Sequence, residues 1–266
     1  METMAYETLL VEREGAVGTI TINRPRALNA LNSTVLRELE RAASELCDPA
    51  RGTPARALIL TGAGEKAFAA GADIAEMASM SAWAGQEFSA LGHRAMAALE
   101  ALPCATIAAI NGFALGGGLE LAMSCDLIYC AETAKLGQPE VNLGVTPGFG
   151  GSQRLSRLVG KSRAKELIFT GDPIDAARAL QIGLVLEVLP KDQLLAHCRA
   201  VAARIATKGP LAVAMSKQLI ERGFDQPLAA ANHLEAQAFG LLFDTADRRE
   251  GMKAFVEKRP PVFTGR

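Results

Sequence analysis

Short apolar runs, each followed by a glycine-bearing turn and then a stretch with helical spacing, recur through the first half of this chain, and that order constrains its fold more than any other feature. A run of four to six apolar residues is too short for a stable helix but suits a strand buried on both faces. Residues 56–60 contain one such run in Ala57, Leu58, Ile59 and Leu60, with a loop at 61–73 after it. Ala105–Ile110 is a second, entered after Pro103 stops a helical stretch at 81–101. Further strands are expected at 8–11, 17–22 and 126–130, and a crossover helix at 33–47 capped by Asn32 or Ser33. The glycine turn at 112–118 leads into a helix ending near Ser124. Strand, glycine turn and helix in repetition predict a layered α/β domain.

Beyond Gly150 the pattern turns helical, at 151–159, 162–169, 175–181, 191–207, 210–222, 227–243 and 247–257, with one short strand at 185–188. The last of these helices carry Ala, Leu and Phe on more than one face, which predicts packing between subunits. A chain of 266 residues accommodates one large domain with a helical extension. No long linker, low-complexity tract or fixed-period repeat divides it.

Several function classes drop out. Lys plus Arg (28) nearly equals Asp plus Glu (29), so no general attraction to nucleic acid or anionic lipid is expected. No apolar run approaches the roughly 18 residues that span a bilayer, and the acidic, alternating N-terminus does not resemble a leader. Cys47, Cys104, Cys125, Cys130 and Cys198 form no CxxC pair and are expected as reduced core thiols of a cytoplasmic protein. The three histidines, His93, His197 and His233, are widely separated, so no metal site is expected. Gly160-Lys161-Ser162 imitates the end of a phosphate-binding loop, but Leu155 stands where that motif needs glycine. Leu121 likewise breaks a dinucleotide-binding GxGxxG, and Arg154 breaks a GxSxG elbow at Ser152.

Two carboxylates remain that composition does not explain. Glu120 ends NGFALGGGLE (111–120) and Glu140 lies in GQPEVNLGVTPGFGG (137–151), both glycine-rich and otherwise apolar. Burial in such surroundings raises a carboxyl pKa toward neutrality, where the group both gives and takes a proton. Small-residue loops beside them, FAAGAD and GGGLE, leave backbone N–H groups accessible to a ligand atom. Gly117 starts the helix that bears Glu120, where free amides and the helix dipole favour negative charge. A carbonyl held by two such amides is polarised toward an enolate.

FAAGADI (68–74), AAINGFALGGGLELAMSCDLIY (108–129) and GQPEVNLGVTPGFGGSQRL (137–155) closely resemble the enoyl-CoA hydratase/isomerase, or crotonase, superfamily. NRPRALNAL (23–31) and EGMKAFVEKR (250–259) fit as well, so the resemblance spans essentially the whole chain. It implies an α/β fold, a crotonase-like spiral of ββα units in a core at 1–200, followed by a C-terminal helical trimerisation region at 201–266. Homotrimers, or hexamers made of two trimers, are the implied assemblies. The implied activity is reversible hydration of a trans-2-enoyl-CoA to a 3-hydroxyacyl-CoA, with coenzyme A as part of the substrate and no separate cofactor. The resemblance assigns the oxyanion hole to the amides of Ala72 and Gly117. It assigns proton exchange at the α carbon to Glu140, and activation of water to Glu120. It places Arg26, Ala27 and Leu28 against coenzyme A, and Ala70, Asp73 and Ile74 beside the thioester. Lys66, Phe255 and Lys258 meet the nucleotide end. Asp73 is also expected to cap the helix after its loop, and Trp83 to pack in the acyl pocket or the core. Isomerisation of an enoyl-CoA, hydration of a branched or aromatic acyl-CoA, and a non-catalytic crotonase-fold binding role stand as alternatives; retention of both glutamates favours hydration.

Overall fold

In the computed structural model, which describes residues 6–266, the apolar runs become the inner strands of a six-stranded sheet. The first five residues, part of the stretch read as carrying no leader, lie outside the described residues. The chain forms β1 (Leu9–Glu14), β2 (Val17–Ile22), α1 (Ser33–Cys47), β3 (Ala57–Gly62), β4 (Ala67–Ala69), α2 (Ile74–Met77), α3 (Ala82–Glu100), β5 (Ala105–Ile110) and β6 (Phe113–Leu115). It continues through α4 (Gly117–Met123), β7 (Leu127–Ala131), β8 (Lys135–Gly137), α5 (Gly151–Val159), α6 (Lys161–Thr170), β9 (Ile174–Asp175), α7 (Ala176–Gln181) and β10 (Glu187–Leu189). The helices α8 (Lys191–Ala206), α9 (Pro210–Gly223), α10 (Leu228–Leu242) and α11 (Ala246–Val256) complete it.

The large sheet runs β1-β2-β3-β5-β7-β10, parallel except for the β1–β2 hairpin. A smaller sheet runs β4-β6-β8-β9, with β4, β6 and β8 parallel and β9 antiparallel. From β3 to β8 successive strands alternate between the sheets, so each turn of the chain there lays one strand in each, and this part of the chain is a spiral. The sequence reading treated 61–73 and 112–118 as loops and missed β4 and β6, as it missed β8. Strands of three residues carry no measurable alternation, and the glycines around them read as turns.

Alternation within the central strands explains why they are apolar throughout. Leu58 and Leu60, Ala108 and Ile110, and Ile128 and Cys130 face the main core shared with α1, α3 and α4. Their neighbours Ala57 and Ile59, Ile107 and Ala109, and Tyr129 and Ala131 face a second core. Leu194, Cys198, Val201 and Ala202 of α8 close that second core. Residue 200, where the sequence reading ends the core region, therefore falls within a helix that covers the large sheet. The two long helices of the main core pack on apolar stripes at helical spacing, Val35, Leu39, Ala42 and Leu46 on α1 and Phe88, Leu91, Ala95 and Leu99 on α3. Asn32 caps α1 by accepting from the Val35 amide at 2.9 Å. Among the described residues no helix is long and apolar enough to cross a membrane.

Candidate active site

Parallel pairing of β4, β6 and β8 sets their C-terminal ends side by side along one edge of the small sheet. The chain leaves β4 through Ala70, Gly71 and Ala72, leaves β6 through Gly116 into α4, and leaves β8 through Gln138 into the 3-10 turn Pro139–Leu143. A hydrogen bond from the Gly116 N–H to the Gly137 carbonyl (2.9 Å) ties the second exit to the third. Groups from all three exits, with Met77, Phe88, Ser89, His93 and the 143–149 loop, line a cavity of about 440 Å³.

The first exit is fixed on its outer side. Leu31 donates its N–H to the Gly71 carbonyl (2.8 Å) and accepts from the Asp73 N–H (2.9 Å), bracketing Ala72 as in a parallel ladder. In that pattern the bracketed residue turns its own N–H to the opposite side, and among the described residues no acceptor takes the Ala72 N–H. Asn29, fully buried, holds the bracketing segment: its Nδ2 donates to the carbonyls of Ala63 (2.9 Å) and Ala67 (2.8 Å), and its Oδ1 accepts from the Arg24 N–H (3.0 Å). Asp73 pairs with Arg24 at 3.0 Å and caps α2 through the Ala75 amide at 3.2 Å. The expected capping role of Asp73 is thus in place.

The second exit brings α4 against β4. A Cβ on Gly118 would sit 1.9 Å from the Ala69 carbonyl oxygen, so only glycine permits this approach. Gly117 begins α4, where the first amides have no carbonyl within the helix, and none of the described residues accepts its N–H. A Cβ built on Gly117 would lie 3.3 Å from the Ala72 amide nitrogen. The two free N–H groups assigned from the sequence to the oxyanion hole are therefore neighbours.

Glu120, in the first turn of α4, is 1% exposed. Its Oε1 accepts from the amides of Phe149 (2.8 Å) and Gly151 (2.6 Å), which leaves Oε2 without a backbone donor. Burial pushes the carboxyl up; the two amides and the Arg154 guanidinium pull the other way. Glu140, half-buried at the third exit, is pushed up to about 7, first by burial and then by the charge of Glu120. Gly116 has a left-handed backbone (φ 48°), and a Cβ there would stand 2.8 Å from Glu140 Oε1. Glycine is thus required twice over at this position. With its amide nitrogen turned to the carboxylate, fully buried Gln138 donates to Glu140 at 2.8 and 3.1 Å, which favours the anion.

The expected coenzyme A contacts divide into groups. Ala70 and Ile74 line the cavity. Arg26, Ala27 and Leu28 form an exposed turn tied to its rim, since the Ala70 N–H donates to the Leu28 carbonyl at 3.1 Å. Lys66 is exposed in the adjacent loop, where a Cβ on Gly64 would touch Pro25 at 3.3 Å. Phe255, at the end of α11, and Lys258, just beyond it, are exposed and do not line the cavity. Trp83 corrects the sequence reading: at 70% exposure it packs in neither cavity nor core, and in the first turn of α3 its neighbours one turn on, Gln86 and Glu87, are exposed with it. Missed altogether were Asn29 and Arg154. Asn29 left a faint trace as an asparagine between apolar neighbours, of the type that tolerates its left-handed φ of 58°.

The family described as "Enoyl-CoA hydratase/isomerase" matches this chain over residues 12–266. A crotonyl-CoA hydratase of Syntrophomonas wolfei is 49% identical over 261 residues, covering 98% of this chain and 99% of that one. A short-chain-enoyl-CoA hydratase of Clostridium acetobutylicum is 49% identical over 256 residues, covering 96% and 97%. The crystal structure of an enoyl-CoA hydratase from Bacillus anthracis superposes with a TM-score of 0.93 at 42% identity, covering 98% of this chain and 100% of that one.

Proposed function

The chain belongs to the enoyl-CoA hydratase/isomerase family, and from that membership we propose that it is an enoyl-CoA hydratase, a hydro-lyase, acting through Glu120 and Glu140. One observation carries the assignment of residues: two carboxylates, both with raised proton affinity, share a cavity with two adjacent unpartnered amides. In this reading the thioester oxygen of a trans-2-enoyl-CoA accepts from the Ala72 and Gly117 N–H groups. That lowers the cost of negative charge when a nucleophile adds at the β carbon. Oε2 of Glu120 takes a proton from water as the water oxygen bonds to the β carbon. The electron pair of the double bond moves into the enolate, and Glu140 then gives its proton to the α carbon. The product is the 3-hydroxyacyl-CoA, with Glu120 left protonated and Glu140 ionised; exchange with solvent resets the pair.

Coenzyme A is proposed to lie over the Arg26–Leu28 turn and Lys66, whose cations suit phosphates, with Asp73 shaping the loop between them and the thioester. The exposed apolar side chains of the C-terminal helices, among them Ile220, Phe224, Leu228, Phe239 and Leu241, support a homo-oligomer, trimer or hexamer, formed by region 201–266 on the 1–200 core. Phe255 and Lys258 would then reach a nucleotide in a neighbouring subunit. Loss of crotonyl-CoA absorbance on adding the purified protein tests the activity. No hydration of crotonyl-CoA or longer 2-enoyl-CoA substrates would remove the proposal.

A further inference from the structure

Glu120 depends on a turn that is itself held from behind. Both amides that seat its Oε1 belong to the segment Phe149–Gly150–Gly151, where Gly150 is left-handed (φ 105°) and α5 begins. One turn into α5, Arg154 folds back over this segment. Its Nη1 donates to the Phe149 carbonyl at 2.7 Å, and its Nε donates to Glu100 Oε1, at the end of α3, at 2.5 Å. The Arg154 side chain is 18% exposed. The peptide units of Phe149 are therefore gripped on both sides, the N–H by Glu120 and the carbonyl by Arg154.

We propose that Arg154 is a positioning residue for Glu120: anchored by Glu100, its guanidinium fixes the turn whose two amides seat the carboxylate, and it sets a cation behind that buried anion. The proposal rests on the reading that Glu120 activates water. Alternatively, Arg154–Glu100 is only a clamp between α5 and α3, an isolated ion pair that adds little to stability. Two features speak against a mere clamp: the bond to the Phe149 carbonyl, and a guanidinium close enough to favour the Glu120 anion. The other titratable groups around Glu120 are Glu140 from the 3-10 turn and His93 from α3, which line the same cavity. Glu100 on α3 and Glu221 on α9 lie near Arg154. Without Arg154, Glu120 loses a cation that favours its anion and keeps the charge of Glu140 across the cavity. Its proton affinity rises, and the acid limb of kcat, where an ionised Glu120 is lost, moves to higher pH.

The test compares Arg154→Met and Arg154→Lys with wild type in crotonyl-CoA hydration across pH. Infrared difference spectra follow the Glu120 carboxyl band, identified by its disappearance in Glu120→Gln. The Met variant is expected to lose about 10- to 100-fold in kcat, with KM changed less than about threefold, because geometry and charge act on the transition state. Its acid limb and its infrared midpoint move up together. The Lys variant keeps the charge but not both bonds, so its kcat falls while its midpoint stays near wild type. Unchanged kcat and midpoint in folded Arg154→Met overturn the proposal, and so does a Lys variant whose midpoint matches the Met variant. If wild type hydrates no enoyl-CoA yet the midpoint still moves in Arg154→Met, the hydratase reading fails and the seating of Glu120 by Arg154 stands.

Discussion

Raising the pH through neutrality removes a proton that the proposed hydration requires. Glu140 is pushed up to about 7, and burial raises Glu120 as well. Two carboxyls that feel each other titrate as a pair, and between their two steps the pair holds one proton. Hydration starts with that proton on Glu140 and Glu120 ionised; dehydration starts with it on Glu120 and Glu140 ionised. These two forms bind the same number of protons, and the reaction consumes none, so its equilibrium constant is independent of pH. The curves of kcat/KM against pH for hydration and dehydration therefore coincide in shape, although each carboxyl plays opposite parts in the two directions. Above the upper break the rate falls tenfold per unit, which amounts to about 100-fold two units beyond it. Gln138 donates to the Glu140 anion and pulls this break down; Gln138→Met moves it up. Absorbance at the conjugated thioester band, followed in one direction with crotonyl-CoA and in the other with 3-hydroxybutyryl-CoA, gives both curves over about pH 5 to 10. A hydration rate that falls above neutrality while dehydration rises would refute the shared proton, and so would a flat profile.

Glu120→Gln and Glu140→Gln are each expected to lose about 10²- to 10⁴-fold in kcat for crotonyl-CoA, the usual worth of a positioned acid or base; full activity in both would remove this mechanism. Gly116→Ala forces a methyl to within 2.8 Å of Glu140 Oε1 at a left-handed φ. It should lower kcat more than it raises KM, and wild-type kinetics would contradict the site as drawn. Asn29→Ala removes the three hydrogen bonds of a fully buried side chain and is expected to cost about 2–3 kcal/mol in urea denaturation; a change below about 0.5 kcal/mol would deny Asn29 its part in holding the segment that brackets Ala72. A 3-enoyl-CoA substrate should be conjugated much more slowly than crotonyl-CoA is hydrated, and the reverse order would favour the isomerase.

The central strands were legible because burial on both faces leaves a continuous apolar run, as in Ala105–Ile110, which the sequence bounds to the residue. Helices with strong signals at both ends were legible too: Asn32 opens α1, and Pro103 follows the end of α3. The glycine runs and the two glutamates stood out by contrast, charge against small apolar residues. The supports of the site did not stand out. Arg154 looks like an ordinary polar residue near a glycine segment, and its partner lies across folds of the chain: it meets Glu100 from another helix. Trp83 shows the opposite failure, in which a large aromatic invited a packing role although its position on α3 faces outward.

The small sheet explains why one cavity gathers functional groups so far apart in sequence. Strands that run parallel end on the same edge, and because the chain returns to the large sheet between visits, each visit ends in its own turn there. The β4 turn offers an amide, the β6 turn an amide and Glu120, and the β8 turn Glu140. In the proposed mechanism, proton delivery to carbon thus rests on the β8 turn alone, whereas polarisation of the thioester and activation of water share the β6 turn, with the β4 turn adding its amide; a few bonds such as Gly116 to Gly137 and Leu31 to Gly71 join the three. A substitution that loosens the β8 turn can therefore impair proton delivery while the two amides keep their grip on the carbonyl. Loosening the Leu31 bracket weakens the grip and leaves both carboxyls where they are.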